Sequence, residues 1–106
     1  MVKHIETLDE FNQIMKDAGD KLVVIDFTAT WCGPCRNIAP FFEELCKQNP
    51  DVLFYKVDVD DAQEVAAFCD IKCMPTFLFY KNNTKVHEFS GANKDTLAAK
   101  VNELKA

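Results

Sequence analysis

The chain has 106 residues, 48% of them hydrophobic and 27% charged, which is the size and mix of one soluble globular domain. Nine Phe and many Val, Ile and Leu supply enough apolar surface to offset the ordering entropy, so a disordered chain is excluded. A net charge of -5 argues against a nucleic-acid partner, and no uncharged apolar run is long enough for a membrane span.

Val2 to Ile5 reads as a short first strand. The stretch Met1 to Glu6 lacks an apolar core and a small-residue cleavage site, so no secretory signal is expected. Thr7-Leu8-Asp9-Glu10 is a capping box, and Leu8, Phe11, Ile14, Met15 and Ala18 follow at helical spacing up to Gly19-Asp20. Leu22 to Thr28 is apolar except for Asp26, a run that suits a strand covered on both faces in a parallel sheet. Ile38, Phe41, Phe42 and Leu45 mark a second helix that ends at Pro50. Pro40 inside it removes the bond to the Arg36 carbonyl and predicts a kink. Val52 to Val59 alternates as a third strand. Asp58, Asp60 and Asp61 read as a solvated strand end and helix cap, before a short helix over Ala62 to Phe68. Thr76 to Tyr80 is a strand, Asn82-Asn83 a tight turn, and Lys85 to Phe89 its hairpin partner. Asn93 caps a last helix with Leu97, Val101 and Leu104 on one face. The order βαβαβαββα predicts an α/β protein with a mixed sheet and helices on both faces. No repeat or linker divides it, so residues 1–106 form a single domain.

Five cysteines cannot all pair within one chain, and without a secretory signal a disulfide framework is the weaker reading. A reducing compartment is expected, hence a cytoplasmic protein in which a close cysteine pair is catalytic, redox-sensing or metal-binding. Trp31-Cys32-Gly33-Pro34-Cys35 falls at the junction of the second strand and second helix. If Cys32 opens the helix and Cys35 lies one turn further in, their Cβ atoms are about 5–6 Å apart, and modest closure reaches disulfide geometry. The free N–H groups and positive dipole end at a helix start favour a thiolate at Cys32, with Cys35 as the resolving thiol. Pro34 is tolerated because the first turn has no intrahelical N–H bond to lose. The competing reading is a zinc half-site completed by Cys69 and Cys73, and spacing alone leaves the two evenly matched. Against zinc, the pair opens a helix beneath an apolar strand, and Cys69 and Cys73 lack a glycine-rich knuckle.

The segment Phe27-Thr28-Ala29-Thr30-Trp31-Cys32-Gly33-Pro34-Cys35 resembles the active-site signature of the thioredoxin family. Met74-Pro75-Thr76 and Phe89-Ser90-Gly91-Ala92 match it too, and the resemblance runs from Val2 into the last helix. It implies a thioredoxin fold, a central five-stranded mixed β-sheet flanked by four α-helices, and reduction of protein disulfides by attack of Cys32 and resolution by Cys35. It also implies that Asp26 is the general base for Cys35; read from the residues alone, Asp26 is an exposed carboxylate at a strand end. The docking groove of the family maps onto Trp31, Gly33, Pro34, Met74, Pro75, Gly91 and Ala92, with the Met74-Pro75 bond cis. The alternative at Pro75 is an ordinary trans proline at a strand start. Asp60 is expected to hydrogen-bond the Trp31 indole.

Family members often carry a lysine at the position of Val57 or Ala39, near this carboxylate. With neither present, Asp26 is expected to lack a cationic partner and to have its pKa raised further. His4 and His87 read as surface residues, and Cys46 and Cys69 as packing residues. Cys73 precedes the docking segment and is expected to be exposed, and the resemblance implies that it can link two otherwise monomeric chains under oxidation. The implied partners are a thioredoxin reductase that draws on NADPH and disulfide-bearing substrates of the peroxiredoxin type. No cofactor or metal of its own is expected, and the implied role is electron transport in cell redox homeostasis. Two other classes compete. One is an oxidising or isomerising domain on the same fold, disfavoured by Gly33-Pro34 between the cysteines. The other is a non-enzymatic binding module that uses the groove.

Overall fold

The structure, a computed structural model, describes residues 2–106. The elements are β1 (Lys3–His4), α1 (Leu8–Ala18), β2 (Val23–Thr28), α2 (Gly33–Gln48), β3 (Leu53–Asp58), α3 (Gln63–Phe68), β4 (Thr76–Lys81), β5 (Thr84–Ser90) and α4 (Lys94–Leu104). They form one sheet in the order β1-β3-β2-β4-β5. The β1–β3 and β3–β2 pairs are parallel, while β2–β4 and β4–β5 are antiparallel. The predicted element order and mixed sheet are both present.

The continuous apolar run of β2 follows from its central place. Leu22 and Val24 face one core with Phe54, Phe77 and Phe79, covered by Ile38 and Phe42 of α2 and by Leu97 and Val101 of α4. Val23, Ile25 and Phe27 face the other with Val57 and Leu78, covered by Phe11 and Met15 of α1 and by Val65 of α3. Each fully buried Phe or Ile here contributes on the order of 2–3 kcal/mol of transfer free energy. Asp26 shares the face of Val24, so the one carboxylate in the run lies beneath α2.

Local chemistry sets the element ends. Thr7 Oγ1 accepts the Glu10 N–H at 3.1 Å, and Gly19 closes α1 at φ 61°. The capping box is only half made: Glu10 Oε1 accepts the Glu6 N–H, one residue beyond the cap. Asn93 Oδ1 caps α4 through the Thr96 N–H. The acidic run does not cap α3. Its N-cap is Ala62, with no side-chain cap bond, and Asp58 Oδ1 instead accepts the Asp60 N–H in the turn before it. Asn82 and Asn83 adopt φ of 52° and 60° in the two-residue turn between β4 and β5. Pairing then skips Val86, a bulge residue left exposed. α2 runs through Pro40 from Gly33 to Gln48. No helix among the described residues is long and apolar enough to cross a membrane.

Candidate active site

The dithiol occupies the junction between β2 and α2. Cys32 is the N-cap of α2, with extended backbone (φ -94°, ψ 111°), and its Sγ accepts the Cys35 N–H at 3.2 Å. Its carbonyl accepts the Arg36 N–H, and its own N–H donates to the Ala29 carbonyl. Sulfur thus stands where a capping oxygen usually stands. Sixteen residues of helix point their positive end at it, and the first turn holds no acidic side chain to compete. The Cα atoms of Cys32 and Cys35 are 5.3 Å apart and their sulfurs are joined in a disulfide. Cys35 is the more deeply buried, 1% exposed against 6%. Gly33 and Pro34 occupy the first helical positions, where Pro34 costs no hydrogen bond.

Three segments converge on this pair. Met74 brings its carbonyl oxygen to 3.9 Å from Cys32 Sγ, and the Met74-Pro75 peptide is cis. Gly91 donates its N–H to the Pro75 carbonyl at 2.9 Å with φ at +103°, a conformation that favours glycine, and Ala92 is exposed beside it. Trp31 is 64% exposed, and its indole Nε1 donates to Asp60 Oδ2 at 2.9 Å, as the resemblance implied. The result is an exposed indole beside a buried sulfur pair, with the Met74 backbone edge against Cys32 Sγ.

A hydroxyl chain supports that edge, and sequence reading passed over it. Thr76 Oγ1 donates to the Cys73 carbonyl at 2.6 Å. Its single proton is thereby used, so the 2.8 Å contact with Ser90 Oγ is donated by Ser90. The chain ties the turn before Pro75 to the end of β5. Thr76 and Ser90 lie within Met74-Pro75-Thr76 and Phe89-Ser90-Gly91-Ala92, but only β4–β5 pairing makes them neighbours.

Asp26 is 2% exposed, and its Oδ1 has no hydrogen-bond partner among the described residues. Burial pushes its carboxyl up to about 7, while the Lys56 ammonium pulls it the other way. The burial agrees with the place the resemblance implies for Asp26 and rules out the exposed strand-end alternative. One expectation is corrected: Asp26 does not lack a cation, because parallel pairing sets Lys56 of β3 in register with it. A cavity of about 250 Å³ opens beside Cys35 and Lys56, and Asp26 is not part of its lining. It is lined by Cys35, Arg36 and Ala39 of α2, residues 28–30, Lys56 and Asp58 of β3, and His4 of β1. His4 is exposed as expected, yet it shares this cavity with Cys35. His87 is half-buried, with its ring 5.6 Å from that of Phe79.

The remaining cysteines stand apart. Cys46 is buried in α2, and Cys69 is half-buried, its thiol pushed up chiefly by that burial. Cys73 is exposed. Among the described residues, no three His, Cys, Asp or Glu side chains converge as a metal cluster.

The family model for Thioredoxin matches residues 2–103. The thioredoxin of Ictalurus punctatus is 62% identical, covering 99% of this chain and 100% of that protein. The human thioredoxin is 58% identical over 98% of this chain and 99% of its own length. Among solved structures, that of Fasciola hepatica thioredoxin superposes with a TM-score of 0.96 at 42% identity, covering 98% of this chain and 100% of the other. A mixed five-stranded sheet with four helices and a disulfide across the first turn of α2 define a thiol–disulfide oxidoreductase, one that reduces protein disulfides. The chain belongs to the thioredoxin family.

Proposed function

We propose that reduction proceeds by attack of the Cys32 thiolate on one sulfur of a substrate disulfide. The substrate bond breaks, a mixed disulfide forms, and the leaving substrate thiolate takes up a proton. Asp26 accepts the proton of Cys35, and the Cys35 sulfur attacks Cys32 Sγ. The second substrate thiol leaves, and the chain retains both oxidation equivalents as the Cys32–Cys35 disulfide. A thioredoxin reductase using NADPH returns the two electrons.

The observation that carries this reading is Cys32 Sγ at the N-cap of α2, accepting the Cys35 N–H and bonded to Cys35. That place favours sulfur as an anion and keeps its resolving partner one turn away. Trp31, Gly33, Pro34, Met74, Pro75, Gly91 and Ala92 form the docking face, where an extended substrate segment lies along the Met74 backbone. Peroxiredoxin-type disulfides are among its targets, and the setting is cytoplasmic. Cys73, exposed beside this face, links two copies under oxidation, while the reduced chain is a monomer.

Capture with Cys35→Ser tests the scheme. The variant should accumulate mixed disulfides through Cys32 and lose turnover in insulin reduction. Unchanged insulin reduction by Cys35→Ser would remove Cys35 from the resolving role.

A further inference from the structure

The cavity beside Cys35 ends on a side chain that disulfide exchange leaves unused. Register partners in adjacent strands share a face of the sheet. His4 pairs with Lys56, and Lys56 pairs with Asp26. The three residues therefore make one row across β1, β3 and β2, on the face that α2 covers. Exposure falls along it: His4 is exposed, Lys56 half-buried and Asp26 buried. His4 and Lys56 also line the cavity that Cys35 reaches.

We propose that His4 is a positioning residue for the resolving step, its charge acting along the His4–Lys56–Asp26 row to set the ionisation of Asp26. The inference rests on the reading of Asp26 as proton acceptor for Cys35. The other groups facing the row and its cavity differ in kind. Arg36 of α2 is tied to the Thr30 carbonyl at 2.8 Å, and Asp58 of β3 accepts the Asp60 N–H. Cys35 faces the cavity from α2, and β4 offers the row only the ring of Phe77. Histidine is the side chain among these types whose charge ordinarily changes near neutral pH.

The magnitude follows from the geometry. Two interstrand spacings separate His4 from Asp26, about 9–10 Å. Between the dielectric of water and that of a protein surface, a unit charge at this range moves a titration by roughly 0.3 to 1.3 pH units. A cationic His4 holds Asp26 ionised to lower pH and so extends the resolving step toward acid.

The experiment is a carboxyl NMR titration of Asp26 in reduced wild type, His4→Gln and His4→Lys, beside the pH profile of the resolving rate. Asp26 should titrate highest in His4→Gln and lowest in His4→Lys, with the two about half a pH unit apart. The acid limbs of the rate should follow the same order. A purely structural role for His4 would not move neutral and cationic replacements in opposite directions. Coincident Asp26 midpoints in the two variants, or a shift of both to the same side of wild type, overturn the proposal. Midpoints that separate while the acid limbs coincide support the coupling and remove Asp26 from the resolving step instead.

Discussion

At Asp26 two physical effects oppose each other. Burial raises the carboxyl to about 7 from an ordinary 3.8, and Lys56 in the neighbouring strand holds it below where burial alone would set it. The folded chain therefore binds this proton more tightly than the unfolded one does. Stability is fully present below the unfolded value and is lost as pH rises through the folded value, by up to about 4 kcal/mol. Asp26→Asn removes that loss. Urea unfolding should show the variant ahead by up to about 4 kcal/mol at pH 8 and nearly level with wild type at pH 4; a gap of constant size would contradict the assignment. Lys56→Met acts with the opposite sign on the carboxyl. Without the ammonium, the Asp26 midpoint should rise above 7 by about half to one pH unit in a carboxyl NMR titration. The polar exception in an apolar strand was legible at Asp26 itself. Its cation was not, because Lys56 lies thirty positions away and carries no mark in an ordinary strand pattern.

The decisive element is α2. Its N-cap is a sulfur, its first turn is free of acid, and Gly33 has open space around the position of a Cβ. A carboxylate introduced there meets no steric obstacle and acts on Cys32 through charge. Gly33→Asp should improve capping of the helix yet raise the Cys32 thiol, since a like charge beside a thiolate disfavours it. Iodoacetamide labelling of reduced Cys32 at pH 7 should slow by about three- to tenfold. An unchanged rate would mean that the helix terminus does not govern this sulfur. The same reasoning explains which helix ends were readable. Thr7 and Asn93 cap within their own turns, so their patterns translated directly. The acidic run before α3 did not, because Asp58 found a partner in the preceding turn.

For the molecule as a whole, the sheet order brings the dithiol, the Met74-Pro75 turn and Gly91 to one surface from segments about forty and sixty residues apart. Cys73 sits at the margin of that surface and is exposed, whereas Cys46 is buried and Cys69 half-buried with a raised thiol. Intermolecular oxidation should therefore run through Cys73. Non-reducing gels of peroxide-treated protein should show a dimer band in wild type that Cys73→Ser lacks, and an equal band in both would exclude Cys73 as the link. Because Cys73 O is held by Thr76, and Pro75 O by Gly91, the backbone around that thiol is anchored from both sides.

Read alone, the chain determined what depends on neighbours in sequence: the cysteine pair at a strand–helix junction, the central buried strand, the Asn82-Asn83 hairpin and the capped ends of α1 and α4. These follow from helical and strand periods and from side chains that bond their own backbone within a turn. Tertiary structure decided what depends on register. Parallel pairing of β1, β3 and β2 aligns His4, Lys56 and Asp26, and antiparallel pairing of β4 with β5 joins Thr76 to Ser90. A strand's own pattern states which residues share a face but not which residue of another strand will lie beside them. The charge environment of the dithiol was therefore settled only when the sheet assembled.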